Sequence, residues 1–175
     1  LHPDDAPHAQ ALLARYLGVR KIIWLSRGVF NDETDGHVDN LCCFVRAGEV
    51  VLTWCDDPAD PQYDISRAAY EVLRTARDSR GKQLKINKLL QPGPLYMTAA
   101  EAAGIEAAPG SLVRRAGERL AGSYVNFYIA NRHVVMPLLD PRRDRQAKAL
   151  IASLFPGRKV IGIPSREILL GGGNI

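Results

Sequence analysis

Residues 38–54, VDNLCCFVRAGEVVLTW, and residues 65–90, ISRAAYEVLRTARDSRGKQLKINKLL, decide the fold. The first stretch holds two strand-like runs, 38–45 and 50–54, with Ala47 and Gly48 between them where a tight turn would fall. That spacing predicts a β-hairpin. Ile65, Ala68, Ala69, Val72, Leu73 and Ala76 then recur at helical spacing. Gly81 breaks the chain, and residues 84–90 read as a further strand that stops at Pro92, Gly93 and Pro94. Residues 36–90 therefore have the order ββαβ.

The same order recurs downstream. Residues 124–130 and 133–138 predict a second hairpin, residues 142–155 a second amphipathic helix, and residues 159–163 a further strand, so that residues 119–163 form a second ββαβ unit. Between the units, residues 91–118 begin like a short capped helix and turn Ala/Gly/Pro-rich, which reads as an irregular insertion. At the front, residues 8–17 predict a helix ended by Gly18, and residues 21–25 a buried strand; residues 1–25 close an earlier unit. Residues 164–175 begin a later one, with residues 167–170, EILL, running as a mostly apolar strand into Gly171, Gly172 and Gly173. Recurrence of one supersecondary order is the mark of a stacked repeat architecture. Both ends fall inside units and the chain begins with Leu1, so a fragment of a larger α/β domain is expected.

Composition narrows the function classes. The 175 residues are 46% hydrophobic and 24% charged, ordinary for a globular protein and far from the polarity of disorder. The 23 basic and 19 acidic side chains leave +4, with arginines scattered and not blocked, which argues against a nucleic-acid partner. No apolar run approaches the ~20 residues that span a bilayer, so no membrane partner is expected. Cys42, Cys43 and Cys55 are odd in number and close together, a poor disulfide framework that fits reduced thiols in the cytoplasm.

Chemistry concentrates in residues 32–40, DETDGHVDN, where four carboxylates and a histidine crowd one loop-to-strand junction. If that strand began at Val38, alternation would turn His37 and Asp39 to one face, so that a proton carrier and a cation-binding carboxylate addressed one small ligand. An acidic solvated loop around a hydrogen-bonded histidine is the alternative. His37, Asp39, Cys42 and Cys43 could also suggest zinc. Strand geometry opposes it, since Cys43 would lie roughly 20 Å along from His37 and Cys42 would point to the other face. The same distance makes Cys43 a poor nucleophile for His37. The three cysteines therefore read as small buried hydrophobes.

Several ordered motifs together carry a resemblance: residues 32–40; Trp54, Cys55, Asp56 and Asp57 with Asp60, Pro61, Gln62 and Tyr63; residues 119–128, RLAGSYVNFY; and Arg166, Glu167 and Ile168 before residues 171–175, GGGNI. The sequence resembles the agmatine deiminase family nearly end to end. The resemblance implies a five-bladed α/β-propeller of ββαβ units, the pentein fold, of which this chain covers roughly half. It also implies hydrolysis of agmatine to N-carbamoylputrescine and ammonia on the way to putrescine, through a cysteine thiouronium intermediate and with no cofactor or metal. By the match of residues 36–39, His37 would carry the protons and Asp39 would grip the guanidinium. The nucleophilic cysteine would follow the GGGNI run, beyond Ile175, so the fragment alone is expected to be inactive.

Other assignments stay open at this level. Glu33 or Asp35 could receive the primary amine of agmatine or merely order the loop, and Asn126 could face the centre or serve as a structural amide. A peptidyl-arginine deiminase or another guanidine deiminase would share the nucleophile and histidine and differ at the far end of the pocket, where the acidic residues near His37 favour a cation. A non-catalytic binding module is the third reading. Homo-oligomer formation is compatible with all three.

Overall fold

The structure, a computed structural model, describes residues 6–32, 36–105 and 114–175. Its centre is strand β2 (Glu49–Trp54), in which every residue is buried. A central strand covered on both faces needs an unbroken apolar run, and Val50, Val51 and Leu52 supply it. Strand β1 (Cys42–Arg46) pairs with it antiparallel through the two-residue loop at Ala47 and Gly48, where Gly48 takes φ +75°. Helix α3 (Gln62–Thr75) crosses over, and β3 (Lys85–Leu90) returns parallel to β2, from Glu49 opposite Lys85 to Trp54 opposite Leu90.

The second unit repeats this plan. Strand β4 (Tyr128–Ile129) pairs antiparallel with β5 (His133–Leu138), helix α5 (Asp144–Leu154) crosses over, and β6 (Lys159–Pro164) runs parallel to β5. Each unit is thus a three-stranded sheet with its middle strand second in sequence.

Two cores hold the assembly. On one face of the first sheet, Ile65, Ala69 and Leu73 of α3 pack on Val50, Leu52 and Trp54. On its other face, Val51 and Leu89 join a core made mainly by the second unit, including Ala147 and Ile151 of α5. The first sheet therefore lies between its own helix and the helix of the next unit, and each fully buried Val, Leu or Ile in that stack contributes about 1.5–3 kcal/mol. Polar bonds reinforce the seam: Arg46 donates to the Leu154 carbonyl, and Arg143 Nη1 donates to Gln91 O at 2.7 Å.

Four expectations need correction. The strand expected from residue 38 begins at Cys42, because Val38–Leu41 form a single helical turn, α2. Residues 21–25 join no ladder; Ile23 and Leu25 instead lean on the first core. Of residues 124–130 only Tyr128 and Ile129 pair, since Tyr124 is drawn inward and its hydroxyl donates to Asp144 Oδ1 at 2.6 Å. Residues 167–170, apolar enough to open another strand, lie in a helical turn, α6 (Arg166–Leu170). Two other elements lie close to expectation. Helix α1 (Ala6–Leu17) starts two residues early, and the insertion opens with α4 (Ala99–Ala103), capped reciprocally by Thr98 and Glu101.

Candidate active site

The loop before α2 is pinched at its neck by two glycines. A Cβ built on Gly28 would stand 2.3 Å from Gly36 Cα, so the two backbones touch with no room for a side chain, and Gly36 takes φ +99°. His37 follows at once and stands at the N-cap of α2. The loop is then moored to the rest of the protein. Gln62 Oε1 accepts from Phe30 N at 2.7 Å, and Asn31, itself at φ +61°, donates from Nδ2 to Arg119 O at 2.7 Å.

Arg119 is fixed in turn by a two-pronged pair with Asp60, at 2.8 and 2.9 Å. Burial works to raise the Asp60 carboxyl, but the guanidinium and the bonds from Gln62 N and Gln91 outweigh it and hold the acid below its ordinary value. The charged pair thus anchors the connecting segment to the end of the first sheet.

Between these loops lies a cleft of about 320 Å³. Asn31, Asp32 and His37 line it from the loop that leads into α2, Arg114, Leu120 and Ala121 from the connecting segment, and Leu169 of α6 with residues 171–173 from the C-terminal stretch. The glycines let that last wall come close: at Gly172, with φ +90°, an added Cβ would stand 3.2 Å from an Arg114 guanidinium nitrogen.

A polar junction lies at the meeting of these segments. Thr53 Oγ1 and Ser123 Oγ both bond to Asn40 O, at 2.8 and 2.6 Å, and Asn174 bonds to Asn40, Ser123 and Ala121. Asn40, Thr53, Ser123 and Asn174 are all buried. Sequence reasoning assigned no role to these four; the signal was that Asn40, Ser123 and Asn174 stand inside the family-like motifs.

The proposed site residues are distributed as follows. His37 lines the cleft, and its backbone N–H donates to Asp32 Oδ2 at 2.9 Å. Asp39 lies in the first turn of α2 and is exposed, which removes the strand alternation that had paired it with His37. Its charge acts on Cys43, whose thiol is pushed up by burial first and by Asp39 second. Asn126 Oδ1 accepts from Ile175 N at 3.1 Å. Glu33 and Asp35 lie outside the described residues.

The cysteines are all free thiols, and Cys42 and Cys43 pack on opposite cores. Burial pushes Cys42 up to about 12 and raises Cys55 as well, so these thiols are largely protonated near neutral pH. Among the described residues, no three or more histidine, cysteine or acidic side chains gather where they could hold a metal ion. None of the described helices is long and apolar enough to cross a membrane.

Two ββαβ units meeting at a loop-lined cleft are matched by solved structures. The agmatine deiminase of Enterococcus faecalis superposes with a TM-score of 0.88 at 36% identity, over 95% of this chain and 46% of its own. The fold and cleft thus define an α/β protein of the pentein type. The chain belongs to the family described as Porphyromonas-type peptidyl-arginine deiminase, whose sequence model matches residues 5–175. A Yersinia pseudotuberculosis protein named "Putative agmatine deiminase" is 55% identical over the whole chain and 49% of its own length, and a Shewanella protein of the same name is 57% identical over 95% of the chain and 45% of its own. The chain spans about half the length of the curated relatives it matches.

Proposed function

We propose that the protein containing these residues hydrolyses agmatine to N-carbamoylputrescine and ammonia. The observation that carries this reading is the 55% identity across all of the chain to a protein bearing the agmatine deiminase name, in a fold that places His37 on a cleft.

In this reaction a cysteine thiolate adds to the guanidinium carbon, forming a C–S bond. The tetrahedral adduct expels ammonia as His37 delivers a proton to the leaving nitrogen, and an S-alkylthiouronium remains. His37, now neutral, takes a proton from water; the hydroxide adds to the same carbon, the C–S bond breaks to release the thiolate, and the remaining hydroxyl proton passes to the released ammonia or to solvent, giving the neutral urea. Asp39, which does not line the cleft, is assigned from the resemblance of residues 36–39 alone, as the carboxylate that accepts two N–H bonds from the planar guanidinium, which stays charged throughout binding. Asn126, Glu33 and Asp35 are the remaining candidates for contacts to substrate, the two acids for the distant amine.

The nucleophile is assigned to a cysteine outside residues 1–175. Support comes from the three thiols present, all of them raised by burial and seated in or beside structural cores. The reaction feeds putrescine formation, needs no cofactor, and suits a cytoplasmic enzyme that keeps its thiols reduced.

The test is a comparison of substrates with the purified full-length protein. Ammonia and N-carbamoylputrescine should form from agmatine much faster than citrulline forms from free arginine or from peptides carrying a terminal arginine. A preference for the peptides would replace agmatine by peptidyl arginine as substrate.

A further inference from the structure

The three segments that line the His37 cleft share no sheet ladder with one another, yet one buried side chain on the third bonds to the other two. Asn174 is 1% exposed. Its Nδ2 donates to Asn40 Oδ1 at 3.0 Å and to Ala121 O at 3.3 Å, while its Oδ1 accepts from Ser123 N at 2.9 Å. Both donors and the carbonyl are thereby used.

The bond to Asn40 also decides which end of that second amide faces the cleft. With Oδ1 turned toward Asn174, Asn40 presents Nδ2 to Asp32 Oδ2 at 3.5 Å. The same Asp32 oxygen accepts from His37 N at 2.9 Å. Donation thus runs from Asn174 through Asn40 to Asp32 Oδ2, where it meets the donation that comes from the backbone of His37. A carboxylate at position 174 could not donate. Asn40 would then have to turn its Nδ2 toward residue 174, which aims its own oxygen at the Asp32 carboxylate.

We infer that Asn174 is a positioning residue, which sets His37 against the glycine wall of the cleft through Asn40 and Asp32. Its place explains why an amide is buried there. It belongs to neither large apolar core and is not among the residues lining the cleft, but it ties the glycine run directly to the turn that begins with His37. Alanine at this position would leave Ala121 O and Asn40 Oδ1 without their donor and Ser123 N without its acceptor, and the loops would be free to separate.

The activity readout of the test rests on the proposed agmatine reaction; the second readout does not. Full-length Asn174→Asp should lose about 100-fold in kcat, the scale of a displacement of roughly 1 Å at a reacting group, with KM for agmatine within about threefold of wild type. Hydrogen exchange at His37 N–H should quicken at least about tenfold, while the amides of β2 stay protected. Asn40→Asp keeps an acceptor for Asn174 and reverses only the link to Asp32, so it should loosen His37 and leave residues 171–173 protected. It also decides the case alone if Asn174→Asp fails to fold. Unchanged His37 exchange, or loss of protection spread evenly through β2, overturns the inference. If wild type turns over no agmatine, the functional reading fails and the exchange data still decide the positioning role.

Discussion

Gly28 carries a constraint that its own sequence context does not advertise: a methyl group there would collide with the backbone of Gly36, not with a side chain that could swing away. Relief requires the neck of the His37 loop to open. Gly28→Ala should therefore cost about 1–3 kcal/mol in urea unfolding and lower turnover as well, because the moved segment carries His37. Asp140 offers a second test. Its carboxyl is held down at about 2, from an ordinary 3.8, by hydrogen bonds from the Arg142 guanidinium, with Gly93 N and Arg142 N adding to the effect against burial. A folded-state value below the unfolded one means stability that is complete above about pH 4 and lost as pH falls through the folded value near 2. Asp140→Asn should accordingly be less stable than wild type at pH 6 and lose less between pH 4 and 2. Denaturation midpoints at the two ends of that range check the sign. Glu101, held down by Arg166 to about 2, titrates in the same window and is unchanged in both proteins, so the difference isolates Asp140.

At the scale of elements, helix α5 does two jobs, closing its own sheet and covering the back of the preceding one. Ile151, fully buried, stands among Val51 and Leu89 of the first unit and Val134 and Met136 of the second. Ile151→Ala should cost about 2–5 kcal/mol, and both sheets should lose exchange protection together because the cavity opens at their shared core. This coupling was legible in the sequence only in part. The apolar run in β2, the spacing of α3 and the turn at Gly48 are local signals, and they placed the first unit to within a few residues. The turn α2 was not legible, because Val38 and Leu41 fit a strand as well as a helix. What distinguishes them is the capture of Asn40 O by Thr53 and Ser123, the latter 83 residues away. The same holds for residues 124–127, whose β-rich composition gives way to the inward bond from Tyr124 to Asp144. Residues 32–40 stood out as chemistry and residues 171–175 as one of the motifs that carry the resemblance, and the structure brings His37 and residues 171–173 to one cleft. The junction behind them could not be read, since buried Asn and Ser acquire meaning only from partners distant in sequence.

Taken whole, the molecule is two consecutive units whose shared core and polar junction leave a cleft between loops and not within a sheet. Residues of the motifs singled out in the sequence serve that geometry: Asp60 and Arg119 anchor the connection, Gln62 moors the loop, and Asn174 joins three segments. The second sheet also presents Tyr128, Ile129 and Ile161 to solvent, apolar surface of the kind that a further unit covers in a repeat architecture. Residues 1–175 expressed alone should therefore release no ammonia from agmatine, since none of their thiols is activated; turnover that disappears when Cys42, Cys43 and Cys55 are all changed to serine would place the nucleophile inside this chain. The most direct test is ammonia release from agmatine by the full-length protein and its His37→Ala variant at neutral pH. Wild type should give steady turnover with equimolar N-carbamoylputrescine, and the variant should fall by about 100-fold or more, the range for removal of a group that transfers protons in the reaction. An unchanged rate in His37→Ala, or a wild type that leaves agmatine intact, would contradict the account.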